Sequence, residues 1–270
     1  MSSDSPDLLV DRRHDGIAVL CLNRPQRLNA LSPQAATALN ATLDALAAED
    51  AVRVLVLTGA GRGFCAGLDL TSGLAADSAG SPNVTAAYAM QECFAGLVQR
   101  LRRLDKVVIA AVNGVAAGAG FALTLAADIR VAARSAAFHV GAVRIGLTAG
   151  ECGISYHLPR LIGASRAFEV MLTGRPIDAD EAERIGLVSA LVDDGQALER
   201  SIEVAALVLR NSRYATKHTK QLMWANLDAG SLDAALESEN HAQILALMTE
   251  DFKEAQQAFV EKRPPVFKGR

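Results

Sequence analysis

Two glycine-rich turns, each directly after an apolar run typical of a buried strand, constrain the fold of this chain most strongly. The first run and its turn read VRVLVLTGAGRGFCAGLDL, over 52–70, and the second read KVVIAAVNGVAAGAGF, over 106–121. Glycine lets the backbone turn sharply and lets another group approach it closely. Two such turns side by side can present free backbone N–H groups to a developing negative charge. The pattern therefore indicates an oxyanion hole made of peptide amides.

The composition allows a large core and excludes several classes of function. Of the 270 residues, 50% are hydrophobic and 21% are charged, which suits one α/β domain. The apolar runs are too short to cross a membrane, and no secretory signal is visible near Met1. The net charge of −3 gives no electrostatic footprint for nucleic acid. The four cysteines are scattered without a C-x-x-C pair, so no metal site is predicted and a cytoplasmic protein is expected.

Alternating strand and helix patterns fill the first two thirds of the chain, and helical patterns fill the rest. Ser32 and Pro33 are typical of a helix start, and they predict a helix to about Ala48. The periodicity predicts strands at 17–22, 52–57, 107–112, 129–132 and 188–192, and helices at 86–104, 165–172, 179–185, 197–209, 214–224, 231–248 and 251–260. We therefore predict an α/β core over 1–195 and a helical region over 196–270, with enough apolar helix surface for subunit packing.

Several motifs, in a specific order and spacing, resemble those of the crotonase superfamily, the enoyl-CoA hydratase/isomerase family. They are Asn23-Arg24-Pro25, Leu28-Asn29-Ala30-Leu31, the G-x-G-x-x-F-C-A-G-x-D-L segment ending at Leu70, V-I-A-A-V-N-G ending at Gly114, Asp128-Ile129, Leu172-Thr173-Gly174, Gly186-Leu187-Val188 and the tail F-V-E-K-R over 259–263. The resemblance implies an α/β spiral of ββα units with a C-terminal helical region that serves oligomerisation and covers the CoA pocket. It also implies a homotrimer or a homohexamer.

The same resemblance implies an acyl-CoA thioester as substrate, with coenzyme A carried by the substrate and no permanently bound cofactor or metal. It implies that the oxyanion-hole N–H groups come from Ala66 and Ala119. Residues implied along the CoA and acyl path are Leu28, Asn29, Ala30, Ala66, Gly67, Leu68, Asp69, Leu70 and Gly118. A thioester oxygen that becomes an enolate needs two preorganised donors, and losing one typically costs about 10²–10³ in rate.

The chain departs from the family at two catalytic positions. Hydratases of the family use two glutamates, and the matching positions here hold Ala122 and Ala142. A positioned acid or base typically contributes about 10²–10⁴ in rate, and alanine can serve as neither. Efficient hydration by the two-glutamate mechanism is therefore not expected.

Glu151 is the first candidate for the missing acid or base. It precedes a predicted helix, as a catalytic aspartate does in dienoyl-CoA isomerases of the superfamily, with an offset of one residue. In an apolar acyl pocket its pKa would be raised, which suits proton transfer between carbons. The alternative is a carboxylate stabilised by the helix dipole. His139 is the second candidate, on a strand near Ala142, and its alternative is a structural role.

Two classes of function remain open at this stage. The leading hypothesis is an acyl-CoA enzyme that stabilises a thioester enolate and moves a double bond or hydrates weakly. The alternative is a non-catalytic acyl-CoA binding protein on the same scaffold, which the loss of both glutamates favours. Thioester hydrolysis would need a nucleophile or a positioned water that the sequence does not identify. No nucleic-acid or membrane partner is expected.

Overall fold

The computed structural model describes residues 6–72 and 83–270, and these form two β-sheets surrounded by helices. The strands are β1 (Leu8–Arg12), β2 (Ile17–Leu22), β3 (Val54–Gly59), β4 (Gly63–Cys65), β5 (Val107–Val112), β6 (Val115–Ala117), β7 (Ile129–Ala133), β8 (Ala137–His139), β9 (Ile177–Asp178) and β10 (Ala190–Val192). The helices are α1 (Pro33–Ala48), α2 (Val84–Arg103), α3 (Ala119–Ala126), α4 (Ile154–Ile162), α5 (Ala164–Thr173), α6 (Ala179–Arg184), α7 (Ala197–Leu209), α8 (Arg213–Asn226), α9 (Leu232–Leu247) and α10 (Glu250–Glu261).

Successive ββα units each contribute one strand to each of the two sheets. In each unit the first strand joins a six-stranded sheet of order β1-β2-β3-β5-β7-β10, and the second joins a four-stranded sheet of order β4-β6-β8-β9. The units are β3-β4-α2, β5-β6-α3 and β7-β8-α4, and neighbouring strands of successive units pair in parallel. This arrangement is the crotonase-like spiral that the resemblance implies.

The large sheet is covered on both faces, which explains its continuous apolar strands. Alternate residues of β3 point to opposite faces: Val54 and Val56 pack with α7, whereas Leu55 and Leu57 pack with the helices on the other side. The second face carries the larger core, which includes the four-stranded sheet. The glycine turns therefore lie on the larger core's side of the molecule, away from α7.

Most predicted elements are present with shifted ends, and several short ones were missed. The Ser32 hydroxyl accepts a hydrogen bond from the Ala35 N–H at 3.1 Å, and α1 begins at Pro33 as predicted. Helix α3 was not predicted, because all eight of its residues are buried and its sequence has no polar face. The strands of the four-stranded sheet are two or three residues long, which is too short for a periodic signal.

The C-terminal helices extend the chain beyond this core. Helix α9 has no buried residue, and α10 buries only Asp251 and Ala258. Phe259 and Val260 on α10 are 86% and 79% exposed. None of the helices in the described ranges combines the length and hydropathy needed to cross a membrane. The division of the chain into an α/β core over 1–195 and a helical region over 196–270 stays a prediction.

Candidate active site

The four-stranded sheet brings the two glycine turns into direct contact. Strands β4 and β6 pair in parallel, with Gly63 opposite Val115. A Cβ added to Gly114 would lie 2.2 Å from the carbonyl oxygen of Arg62, and one added to Gly120 would lie 2.2 Å from that of Cys65. No side chain fits at such distances. The glycines of the second turn therefore allow its backbone to pack against the backbone of the first.

Two asparagines from different loops hold the first turn in place. Asn29 is buried, and its side-chain amide donates to the carbonyls of Ala60 and Gly63 at 2.9 and 2.8 Å. Asn113 donates to the carbonyls of Gly61 and Gly63 at 2.8 and 3.2 Å. Gly63 is buried, and its carbonyl accepts from both amides, because an unpaired buried carbonyl would cost free energy. The two amides therefore hold the turn between β3 and β4 in one conformation.

Ala119 lies where the sequence predicts an oxyanion-hole donor. It is the first residue of α3, and the N–H groups of a first helical turn have no intrahelical acceptor. Within the described residues its N–H donates to no other group. The positive end of the helix dipole adds to the attraction for negative charge at this point.

Ala66 does not have a free N–H, so the second predicted donor needs correction. Its N–H donates to the carbonyl of Leu28 at 2.9 Å. Leu68, two residues after Ala66, is placed differently. Its neighbours Gly67 and Asp69 both bond to Leu31: the Leu31 N–H donates to the Gly67 carbonyl at 2.7 Å, and the Leu31 carbonyl accepts from the Asp69 N–H at 2.9 Å. In a parallel bridge of this kind, the N–H of Leu68, which lies between Gly67 and Asp69, points away from Leu31.

The N–H of Leu68 lies directly after a residue that packs against the second turn. This N–H has no acceptor in the part of the chain that the structure describes. Gly67, directly before it, has a φ of +90°, and a Cβ added there would lie 2.7 Å from the Ala117 carbonyl oxygen and 3.5 Å from the Ala119 nitrogen. Leu68 and Ala119 therefore each present an N–H without an acceptor among the described residues, one from each of the adjacent turns.

Glu151 lies beside these donors. A Cβ added to Gly118, the residue before Ala119, would be 3.2 Å from Oε1 of Glu151. The carboxylate is partly buried and has no hydrogen-bond or ion-pair partner among the described residues. Burial raises its pKa above the ordinary value for glutamate, because the charged form loses solvation. An unpaired carboxylate with a raised pKa is suited to accept and return a proton.

The two positions that lack glutamate are both buried. Ala122 lies within α3 and Ala142 within the 3-10 turn Gly141–Ile145. His139, the second candidate, ends β8, and its carbonyl accepts the Gly118 N–H at 3.1 Å. Burial, and to a smaller extent the charge of Arg144, lower the pKa of the His139 imidazole, which favours its neutral form. Its ring has no hydrogen-bond partner among the described residues.

The predicted CoA-binding loop uses its own N–H groups internally. Those of Leu28, Asn29 and Ala30 donate to the carbonyls of preceding loop residues at 3.1, 2.9 and 3.1 Å. Leu28 and Asn29 have φ values of +49° and +57°, a conformation that asparagine tolerates better than leucine. Leu70, at the end of the first turn, is 57% exposed. Of the described side chains, no three His, Cys, Asp or Glu cluster as metal ligands would.

Sequence reasoning missed two features of the site. Leu68 was assigned to the CoA path but not identified as a donor, because free amides depend on pairing with a loop nearly forty residues earlier. The side chain of Arg24 was also missed, although it donates to Asp69 and to the carbonyl of Ala30. The Asn-Arg-Pro motif could have indicated these bonds, because an arginine between an apolar strand and a turn needs a hydrogen-bond or ion-pair partner.

Comparison with known proteins is consistent with this geometry. The sequence profile described as enoyl-CoA hydratase/isomerase matches residues 12–270. "Probable enoyl-CoA hydratase EchA12" of Mycobacterium tuberculosis is 46% identical over 262 residues, which cover 96% of this chain and 92% of the relative. The 1,2-epoxyphenylacetyl-CoA isomerase of Escherichia coli is 35% identical over 98% of this chain and 99% of its own length.

The fold also matches solved structures over its whole length. The crystal structure of an enoyl-CoA hydratase from Bacillus anthracis superposes with a TM-score of 0.91, at 34% identity, over 98% of this chain and 100% of that chain. The profile, the relatives and the fold agree with the motifs that the sequence presents. The chain therefore belongs to the enoyl-CoA hydratase/isomerase family, a family of acyl-CoA enzymes within the crotonase superfamily.

Proposed function

We propose that this protein moves a double bond in an unsaturated acyl-CoA by a proton transfer through a thioester enolate. The observation that carries the proposal is the unpaired, partly buried Glu151 carboxylate beside Gly118, next to the free N–H of Ala119. The donors are Leu68 and Ala119, with Leu68 replacing Ala66. Coenzyme A enters as part of the substrate, along the loop 28–30 and the first turn.

The reaction needs one carboxylate and two amides. Glu151 takes a proton from C2 of a 3-enoyl thioester, and the electron pair moves into the thioester carbonyl. The N–H groups of Leu68 and Ala119 bind the resulting oxyanion. The protonated carboxyl then returns the proton at C4, so the double bond moves from C3–C4 to C2–C3. Each amide adds stabilisation where charge develops, which lowers the barrier rather than the substrate's free energy.

Isomerisation fits the site better than hydration. Water addition by the family's two-glutamate mechanism needs one group to activate water and another to deliver a proton, and Ala122 and Ala142 can do neither. Weak hydration remains compatible with the site if Glu151 activates an ordered water by itself.

A non-catalytic acyl-CoA binding protein is the second candidate, because the two alanines favour it. Turnover of 2-enoyl-, 3-enoyl- and 2,4-dienoyl-CoA should be measured together with calorimetric binding of each. We expect double-bond migration in at least one thioester, and a loss of about 10²–10⁴ in kcat for Glu151→Gln with binding retained. Glu203→Gln on α7, across the large sheet, is the matched control and should be fully active. Binding of all three without turnover would establish the non-catalytic alternative.

A further inference from the structure

The guanidinium of Arg24 joins the two backbone segments that form the Leu31–Leu68 bridge. Its Nη1 donates to the carbonyl of Ala30 at 2.8 Å, and its Nη2 donates to Oδ2 of Asp69 at 3.0 Å. Ala30 directly precedes Leu31, and Asp69 directly follows Leu68. One side chain therefore fastens both partners of the bridge.

The bridge itself is small. It is an isolated parallel bridge, with two hydrogen bonds that both involve Leu31: one to Gly67 and one from Asp69. In a longer parallel ladder, neighbouring rungs would hold each residue in register. Here no such rungs exist among the described residues on either side. Among the described residues, the two segments share one further backbone hydrogen bond, from the Ala66 N–H to the Leu28 carbonyl at 2.9 Å. The bonds made by Arg24 therefore add to a small set of three backbone bonds that hold Leu68 in place.

Arg24 and Asp69 are each held in place by further hydrogen bonds. The N–H of Arg24 donates to Oδ1 of Asn29 at 2.8 Å, and the carbonyl of Arg24 accepts from the Asn29 N–H at 2.9 Å. The other carboxylate oxygen of Asp69 accepts from the N–H and the hydroxyl of Thr71 at 3.1 and 2.7 Å. The Asp69 side chain is only 6% exposed and that of Arg24 19%.

We propose that Arg24 is a positioning residue for the oxyanion hole, which aims the Leu68 N–H at the thioester oxygen through Ala30 and Asp69. This inference rests on the proposed function, since it requires Leu68 to bind that oxygen. A small displacement of a donor weakens its bond to the charged enolate more than its bond to the neutral thioester, because charge-assisted hydrogen bonds are stronger. The loss should therefore appear in kcat.

Two variants separate positioning from plain structural support. Arg24→Lys keeps the charge near Asp69, but an ammonium cannot reproduce the planar fork that also reaches Ala30. We expect kcat to fall about tenfold while KM changes less than about threefold, as for an interaction made mainly in the transition state. Arg24→Met should lose more, up to the factor of about 10²–10³ for a missing donor. Arg12→Lys is the matched control, since Arg12 makes two bonds to Glu49, at 2.8 and 2.7 Å.

A direct readout of enolate stabilisation is available with acetoacetyl-CoA. This thioester is acidic between its two carbonyls, and its enolate absorbs in the near ultraviolet whereas the keto form does not. In the wild-type protein we expect the enolate band of the bound thioester at lower pH than for the free thioester. For a tenfold weaker oxyanion hole, the pH at half height rises by about one. Folded Arg24→Lys should show this rise, and Arg12→Lys should not.

The outcomes distinguish this inference from the proposed function. If the bound thioester in the wild-type protein forms its enolate no more readily than the free one, the proposed oxyanion pair is wrong. If the wild-type protein stabilises the enolate and both Arg24 variants do so equally well, Arg24 is only a structural residue and the inference is overturned. A fall in melting temperature without a change in kcat has the same meaning.

Discussion

Gly118 and Glu151 lie so close together that a side chain at position 118 would press against the carboxylate. A Cβ on Gly118 would approach Oε1 of Glu151 to 3.2 Å. Gly118 also has φ +49° and ψ −121°, a combination that residues with a Cβ rarely adopt. The carboxylate can therefore lie directly against the backbone that leads into Ala119.

The first prediction concerns this contact. In Gly118→Ala, the methyl group should displace the carboxylate, and strained backbone should lower the free energy of unfolding by about 1–3 kcal/mol. We expect kcat/KM to fall at least about tenfold, since small misplacements of a catalytic group are costly. Gly186→Ala is the matched control, because Gly186 has φ +75° and nothing within 4 Å of an added Cβ. An equal loss of kcat/KM in both folded variants would contradict a specific role for the contact.

The pH dependence of turnover gives the second prediction. Glu151 must be ionised to accept a proton, and burial raises its pKa. We therefore expect kcat/KM to rise with pH through an ionisation above the ordinary range for glutamate. Steady-state rates across the acidic range, with a stable thioester and a buffer of constant ionic strength, measure this limb. The residual activity of Glu151→Gln should not show this rise of kcat/KM with pH. If the rise persists in that variant, the ionisation belongs to another group.

The same raised pKa has a consequence for stability, with a definite sign. The folded state holds the proton of Glu151 more tightly than the unfolded state, so its contribution favours folding at low pH and is lost as pH rises through the folded pKa. At neutral pH the buried, unpaired charge destabilises the protein. Glu151→Gln should therefore melt at a higher temperature than wild type at pH 7, and the difference should shrink under acid. A lower melting temperature at pH 7 would contradict an unpaired carboxylate.

Sequence patterns predict the helices and strands that have a strong amphipathic or β-branched pattern, and they do not reveal those that lack one. Helix α1 and strand β5 have the expected residues because their periodicity and end signals agree. Helix α3 lacks such a signal because it is buried on all sides, although it carries the Ala119 donor. The helix that carries the candidate donor is therefore the one whose own sequence is least informative.

The choice between Ala66 and Leu68 could not be made from the sequence. Both flank Gly67, and both could present an N–H. The difference arises because Leu28 takes one N–H and Leu31 pairs beside the other. These partners come from a loop whose conformation depends on Asn29 and its bonds to the first turn. Glu151 was predicted as a candidate from its position relative to family motifs, whereas its contact with Gly118 needed the three-dimensional fold.

The fourth prediction concerns a buried ion pair beside the start of β5, at the opposite end of that strand from the second glycine turn. Lys220 Nζ lies 3.0 Å from Oδ2 of Asp128, and their side chains are 4% and 13% exposed. Asp128 also accepts from Trp224 Nε1 at 2.7 Å. Removing one partner leaves a buried charge unpaired, so Lys220→Met should cost about 3–5 kcal/mol in denaturant unfolding. The double variant with Asp128→Asn should lose less than the sum of the single changes, and strict additivity would contradict coupling.

The last prediction concerns the C-terminal helices, which we propose pack between subunits of a trimer or a hexamer. Phe259 and Val260 are 86% and 79% exposed, and α9 buries no residue within the chain. Exposed apolar surface of this extent is typical of an interface. Light scattering of the wild-type protein should give a mass of three or six chains, and Phe259→Asp with Val260→Asp should give a smaller one. Leu207→Asp on α7, where Leu207 is 51% exposed, is the control and should assemble like wild type. A monomeric wild-type protein at micromolar concentration would show that these side chains have another role, and an unchanged assembly in the double variant would place the interface elsewhere.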